Sequence, residues 1–295
     1  MDTTKTINVQ ILNAFVDNDK GGNPAGVVLD ADNLSDKNKL EIAAKVSLSE
    51  TAFVSKSTSA DFKLDFFTPN KQIAHCGHAT IATFSYLKQL AILKNNNAIK
   101  ETIDGNRKIK LIDDLAFMEQ LSPKYANVSH KEDQILKSLG LKKSDLMQNA
   151  PIQLVNTGNS FMLIPVKNSE ILKNIIPDFS LIDEISETFD LIGYYVFSTD
   201  VENPERDAST RMFGPRYDIL EEAGTGMAAG PLACYLYDVL TIKKERFLIQ
   251  QGEFMTTPSP SLIIVDLHIE NHKIKSIMAG GKGLLKTQME IEINS

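Results

Sequence analysis

The sequence predicts an α+β fold in two similar halves, and three observations carry that expectation. Many short strand-like segments are interspersed with few helices. Two helical stretches, Ala79 to Leu90 and Ala228 to Val239, are small or apolar at nearly every position, so each is expected to be buried on most of its circumference. The run Cys76-Gly77-His78-Ala79-Thr80 at the first stretch returns, altered, as Gly224-Thr225-Gly226-Met227-Ala228 at the second, and each stretch carries a Tyr-Leu near its end. Setting Gly77 on Gly226 places Tyr86 on Tyr235 and Leu87 on Leu236. Two more echoes keep the same order: Gly22-Asn23-Pro24 against Gly158-Asn159-Ser160, and Phe67-Thr68-Pro69 against Phe213-Gly214-Pro215. A single echo of turn residues is chance; three in one order favour an internal duplication.

Each element has a local reason. Ile7 to Leu12 alternates as a strand, Gly21-Gly22-Asn23-Pro24 breaks it as a turn, and Ala25 to Leu29 resumes extended chain. Ser35-Asp36 caps a helix running to Val46, with Leu40, Ile42, Ala43 and Val46 on one side. Thr51 to Val54 and Phe62 to Phe67 read as strands. In the second half a helix is expected near Lys131 to Leu139. Strands are expected near Pro151 to Val155, Ser160 to Pro165, Leu191 to Ser198 and Ser209 to Phe213. Pro123-Lys124-Tyr125-Ala126-Asn127 has the turn chemistry of a domain linker, which divides the chain into 1–122 and 123–295.

Composition narrows the class. The chain of 295 residues exceeds the usual span of one core, whereas halves of about 150 match a common domain size. With 42% hydrophobic and 23% charged residues an ordinary globular protein is expected. No apolar run reaches the roughly 18 residues of a membrane span, and residues 1–14 lack a basic start and apolar core, so a cytoplasmic protein without membrane partners is expected. Two cysteines, Cys76 and Cys234, make no disulfide framework. A net charge of −7 argues against a nucleic-acid surface but leaves a small anion open, because that needs only a local cluster of donors.

Helices starting at Gly77 and Gly226 carry unpartnered N–H groups in their first turns, and the glycines let a ligand come close to the backbone. Each helix start is thus an anion site in waiting, and a carboxylate substrate is the simplest occupant. Three titratable residues lie near these starts. Glu50, in Leu48-Ser49-Glu50-Thr51-Ala52-Phe53, is by residue type alone a solvated edge charge; if buried, its pKa would rise toward neutrality and fit it for proton transfer. His78 lies in the first turn of a buried helix, whose dipole favours the neutral ring. Glu221 and Glu222 precede the second helix, where a carboxylate also has a purely structural use.

Together, Gly22-Asn23-Pro24-Ala25-Gly26-Val27, Leu48 to Phe53, Phe67-Thr68-Pro69, Cys76 to Thr80 and the Glu-Glu-Ala-Gly-Thr-Gly-Met-Ala run at 221–228 resemble the phenazine-biosynthesis PhzF-like family. The resemblance spans about residues 7–285 and implies a diaminopimelate epimerase-like fold: two similar domains, each a curled, mostly antiparallel sheet around a central helix, with the active site in the cleft between them. The last strand, about 276–293, would return to the first domain. A homodimer with neither metal nor organic cofactor is implied. Residue by residue, Glu50 matches the family's acid/base and His78 the histidine beside it. Asn23, Gly77, Glu222, Thr225, Gly226 and Met227 fall at positions implied to bind the substrate. Glu222 stands where the family typically has aspartate, and Met227 where it often has serine, so the substrate contacts are expected to differ from those of the phenazine enzyme.

Relatives in fold that racemise amino acids use two cysteines. Cys76 matches the first and Ala223 the second, which speaks against two-thiol chemistry. The reading is therefore an isomerase that moves a proton within a small carboxylate-bearing substrate. Two alternatives stay open: a racemase or epimerase with a non-cysteine second base, and a non-catalytic binder of small anions. His75, Cys76 and His78 fit a metal site poorly in count and spacing, and no Gly-x-Gly-x-x-Gly follows a strand, so neither metal nor dinucleotide is expected.

Overall fold

In the computed structural model, residues 4–74 and 76–294 are described. The chain divides into two compact units, Met1–Glu119 with Gly280–Ser295, and Gln120–Ala279.

In the first unit β1 (Thr4–Ala14) pairs antiparallel with β2 (Asn23–Val28), and α1 (Asp36–Val46) crosses to the parallel neighbour β3 (Thr51–Ser55). Next come β4 (Phe62–Phe67), antiparallel to β3, and the short β5 (Gln72–Ile73). After α2 (Gly77–Gln89), β6 (Asn97–Thr102) lies parallel to β4, and β7 (Gly105–Ile112) and β8 (Leu115–Gln120) follow antiparallel.

The second unit starts with β9 (Lys124–Asn127) and α3 (Glu132–Ser138). There follow β10 (Gln153–Asn156), β11 (Ser160–Pro165), α4 (Ser169–Lys173), α5 (Phe179–Thr188), β12 (Gly193–Ser198), β13 (Ala208–Gly214) and β14 (Ile219–Glu222). Then come α6 (Gly226–Asp238), β15 (Arg246–Gln251) and β16 (Ser261–Glu270). The last strand, β17 (Lys273–Asn294), runs antiparallel to β1 with a bulge between Ile11 and Leu12, and also pairs with β8. The pairings β1-β2-β3-β4-β6-β7-β8-β17 thus close on themselves in the first unit.

The same succession of pairings occurs twice. β10 pairs antiparallel with β11, β11 parallel with β12, β12 antiparallel with β13, and β13 antiparallel with β14 and parallel with β15, which pairs antiparallel with β16. Both central helices have 13 residues, and Gly77 and Gly226 each open one. Each unit places its helix against one sheet face and further helices against the other. Phe62 meets Phe84 of α2, whereas Phe53 and Phe67 pack with Ile42 and Val46 of α1. In β12, Phe197 meets Tyr235 of α6 while Tyr194 and Val196 pack with Ile135 and Ile182 on the outer helices. Strands covered on both faces read as nearly continuous apolar runs, as Gly193–Ser198 does.

The expected Ser35 cap is present: its hydroxyl accepts from the Asn38 N–H, and α1 ends at Val46. Pro123 to Asn127 is not a free linker. Lys124–Asn127 is β9, antiparallel to β10, because those backbone groups find ladder partners some thirty residues ahead. No described helix is long and apolar enough to cross a membrane.

The Gly22 turn that launches β2 has φ of 88°, and a Cβ there would lie 2.7 Å from the Ala14 carbonyl oxygen. Gly22→Ala is therefore expected to destabilise the fold by roughly 1–3 kcal/mol. Urea denaturation checks this: the midpoint should fall with the slope unchanged.

Candidate active site

The first unit assembles a carboxylate, an imidazole and a thiol from two elements. Parallel pairing of β2 with β3 brings the Gly26 N–H to the Glu50 carbonyl oxygen at 3.1 Å. A Cβ at Gly26 would stand 2.8 Å from Thr51 Oγ1, so only glycine lets the strands meet this closely. Glu50 is thereby fixed immediately ahead of β3 and is only 7% exposed. The solvated edge charge favoured by residue type does not form, because β2 and α2 cover the end of the strand.

α2 supplies the other two groups. Cys76 is the N-cap residue and makes no capping hydrogen bond through its side chain, so the helix start is left to its own N–H groups. His78, the second helical residue, sets Nε2 3.2 Å from Glu50 Oε2. Oε2 receives no well-aligned hydrogen bond, so the pair is an ion-pair approach more than a directed bond. Cys76 Sγ lies 3.5 Å from His78 Nδ1 and 4.0 Å from Nε2.

The electrostatics differ from the simple burial expectation. Burial pushes the Glu50 carboxyl up, but the His78 charge and contact, with a hydrogen bond from Ser49, outweigh it and hold the group below its ordinary value. Glu50 is therefore an ionised carboxylate at neutral pH. Burial and the Glu50 charge push the Cys76 thiol up.

One charged neighbour was not legible in the sequence. Lys100 of β6 is fully buried, with Nζ donating to Thr80 Oγ1 at 2.7 Å and lying 5.1 Å from the Phe66 ring centre. Thr80 in turn donates to the Cys76 carbonyl oxygen at 2.6 Å. Among the described residues no carboxylate forms an ion pair with Lys100, and burial above all brings its pKa down to about 7.

The second unit builds its helix start mostly from neutral donors and acceptors, with the Glu222 carboxylate among them. Thr225 is the N-cap, its hydroxyl donates to Glu222 Oε2, and its N–H donates to Gln251 Oε1 at 3.0 Å. Gln251 Nε2 donates to the Glu222 carbonyl oxygen at 2.7 Å, and the Tyr195 hydroxyl donates to Gln251 Oε1 at 2.9 Å. Gly226 and Met227 are the first two helical residues; Met227 is half-buried and Gly226 buried. Gly230 leaves room for the Gln120 amide, which donates to the Gly226 carbonyl oxygen at 2.8 Å. The adjacent acids divide their work: Glu221 clamps Arg211, whose Nη1 donates to the carbonyls of Leu172, Lys173 and Ile175, while Glu222 is buried beside the helix start. Sequence reasoning missed Gln251 and Tyr195, although Gln250-Gln251-Gly252 ending an apolar strand was a signal.

The first unit holds Asn23, buried at the start of β2, with Glu50, Gly77 and His78; the second holds Glu222, Thr225, Gly226 and Met227. His75 lies outside the described residues. The paired histidines His268 and His272 flank the β16–β17 turn, where His268 Nε2 meets Glu270 at 3.0 Å on the exposed edge.

A sheet curled around a buried helix, with a carboxylate and an imidazole at the helix start, is here the framework of an enzyme whose relatives are named isomerases. The chain belongs to the phenazine biosynthesis-like protein family, whose sequence profile matches residues 12–287. It is 30% identical to an uncharacterized isomerase of Clostridium acetobutylicum over 97% of this chain and 98% of that one. It is also 30% identical to the trans-2,3-dihydro-3-hydroxyanthranilate isomerase of Pseudomonas chlororaphis, over 77% of this chain and 78% of that one. The crystal structure of the Bacillus anthracis phenazine biosynthesis protein of the PhzF family superposes with a TM-score of 0.88 at 26% identity, covering 98% of this chain and all of that one (100%).

Lys100 gives a pH signature. Its pKa is 10.5 when exposed and about 7 in the fold, so between these values the unfolded chain binds the extra proton. Stability from this group is complete above the unfolded value and is lost as pH falls toward about 7. Lys100→Met is expected to unfold at higher urea than the wild type at pH 7, with the difference shrinking as pH rises toward 10. A difference independent of pH would reject a buried, proton-shedding amine.

Proposed function

We propose that this family member is an isomerase that transfers a proton within a small, carboxylate-bearing substrate, without metal or organic cofactor, with Glu50 as the acid/base. The observation that carries this reading is the buried carboxylate of Glu50, held ionised against His78, with one oxygen left without a directed donor. A buried carboxylate in that state takes a proton from a substrate carbon. Once protonated it loses its attraction to His78, so it is driven to give the proton back, to another carbon of the same molecule. A carboxylate held low in pKa is a weak base toward carbon, so the substrate must delocalise the charge it develops, as a C–H beside a conjugated system does.

His78 is assigned the neighbouring role, stabilising the ionised Glu50 and orienting the substrate. Asn23 and Gly77 in the first unit, and Glu222, Thr225, Gly226 and Met227 in the second, are assigned to substrate binding. The uncapped N–H groups of each helix start suit a carboxylate. Met227 offers a backbone N–H but no hydroxyl, and the Glu222 carboxylate is already engaged by Thr225, so specificity is expected to differ from that of the anthranilate-type relative. The repeated succession of strand pairings supports an origin by duplication, and a cytoplasmic homodimer belongs to the same reading on family resemblance alone.

Two-thiol racemisation fits poorly. The helix position equivalent to Cys76 is Thr225, and Ala223 lies two residues before it, so neither alignment supplies a second thiol. Cys234 sits within α6, where burial pushes its thiol far up.

Proton NMR in deuterated water, with trans-2,3-dihydro-3-hydroxyanthranilate and a panel of small cyclic and amino carboxylic acids, tests the reading. Deuterium should enter one specific carbon, and Glu50→Gln should slow this by about 10²–10⁴-fold while ligand-induced shifts persist. Exchange that survives in the variant would remove Glu50 as the base; binding without any exchange would leave a non-catalytic binder. Because Glu50 is held below its ordinary pKa, the acid limb of the rate profile is expected below the usual carboxylate range. The limb should move upward in His78→Gln, which removes the charge that holds Glu50 down.

A further inference from the structure

Cys76 takes no part in a one-base isomerisation, yet its sulfur sits against the two groups that do. Glu50, Cys76 and His78 each present one donor atom, and these atoms lie within 4.8 Å of one another with all three residues buried. Spacing along the chain did not reveal this set, because the third donor comes from the end of a strand and not from the Cys-x-His turn.

We propose that this cluster is an inhibitory site for a thiophilic divalent cation, Zn²⁺ above all. A tetrahedral zinc ion with bonds of about 2.3 Å to sulfur and about 2.0–2.1 Å to nitrogen and oxygen holds its ligand atoms roughly 3.3–3.6 Å apart. His78 Nε2 is 3.2 Å from Glu50 Oε2 and 4.0 Å from Cys76 Sγ, but the sulfur lies nearer Nδ1, at 3.5 Å, so the Cys76 side chain must rotate toward the Nε2 side to bring the three donors onto one centre. An independent observation points the same way: Glu50 Oε2 is buried and, although His78 Nε2 approaches to 3.2 Å, receives no well-aligned hydrogen bond, so an ion that displaces this contact meets an acceptor without a directed donor.

Charge balance and donor type agree. A 2+ ion with one thiolate, one carboxylate and one neutral imidazole has no net charge, which suits a buried location. Cys76 is the N-cap of α2, where the helix dipole favours the thiolate once the ion displaces its proton. Sulfur with imidazole selects Zn²⁺ over Mg²⁺ or Ca²⁺, whose ligands are oxygens. Three protein ligands leave a fourth position for water. Binding releases the thiol proton, together with any proton on the imidazole, to solvent; no electron moves. The ion would occupy the oxygen that the isomerisation needs, so the inhibitory part of this inference rests on Glu50 being the base, whereas the binding part does not.

Co²⁺ titration of the full chain, without substrate, is the first test. One equivalent should produce a thiolate-to-cobalt charge-transfer band and intense tetrahedral visible bands, and one equivalent of Zn²⁺ should abolish both. Cys76→Ser should lose the charge-transfer band and weaken binding by about 10-fold or more, while Cys234→Ser keeps both. Affinity should fall as pH falls, because protons compete for the donors. No charge-transfer band in the wild type, or an equal band in Cys76→Ser, would overturn the site. If the band appears but micromolar Zn²⁺ leaves deuterium exchange into substrate unaffected, the site stands and inhibition through Glu50 is rejected. If exchange is absent altogether, only the functional reading fails.

Discussion

A helix buried on its whole circumference satisfies its own backbone everywhere except at its ends. In the first unit the closed succession of strand pairings leaves α2 no exposed flank over its first three turns, from Gly77 to Leu87. Only small and apolar side chains fit along it, and its first N–H groups are the polar feature the interior cannot absorb. The end of β3 meets that start because Gly26 lets two parallel strands close together, and Glu50 is carried in with it. A lone carboxylate there would cost several kcal/mol. His78, two residues past the cap, offsets that cost and in doing so keeps Glu50 ionised. The same packing that hides the helix thus produces a buried, ionised carboxylate.

The second unit meets the same constraint by other means. Its helix start is tied down by Thr225, Gln251, Tyr195 and Gln120, all neutral, through hydrogen bonds of 2.8–3.0 Å at Gln120, Tyr195 and the Thr225 N–H. Such a network holds geometry without storing charge. Glu222 is the exception, and its carboxylate accepts from the Thr225 hydroxyl. One unit therefore carries a buried charged pair, the other a hydrogen-bonded network, although their strand pairings follow the same order.

Legibility in the sequence followed the locality of the forces. The Ser35 cap, the β11 strand and both buried helices were readable because a capping side chain, a run of β-formers and an apolar stretch each act within a few residues. The strand at Lys124–Asn127 was read as linker, since its partner β10 is distant in sequence. α5 went unread despite the Asp178 cap and the apolar spacing of Ile182 and Ile185. β6 was harder still: Ala98, Lys100 and Thr102 face inward, while Ile99 and Ile103 are exposed. Alternation read by hydrophobicity turns that strand the wrong way round, and a lysine without a carboxylate partner gives no hint of burial. At the candidate site, Glu50 and His78 stood out by lying near a helix start, but their pairing and burial became recognisable only through the resemblance, because residue type alone favours a solvated glutamate.

The thiols sharpen the argument for a single base. Abstraction on one face of a carbon and delivery to the other needs two groups of similar basicity facing each other. Cys76 has no such counterpart, for the second helix offers threonine at its cap and alanine two residues earlier. Cys76 itself is a poor base, since both its burial and the negative charge of Glu50 oppose the thiolate. Two negative charges side by side in a buried site repel each other, so the cluster can ionise the carboxylate or the thiol at low cost but not both. His78 decides between them by sitting closer to the carboxylate, 3.2 Å against 3.5 Å to sulfur, and by favouring the group that already ionises more readily. A site wired this way keeps the carboxylate ionised and the thiol protonated, which is what the proposed one-base isomerisation requires.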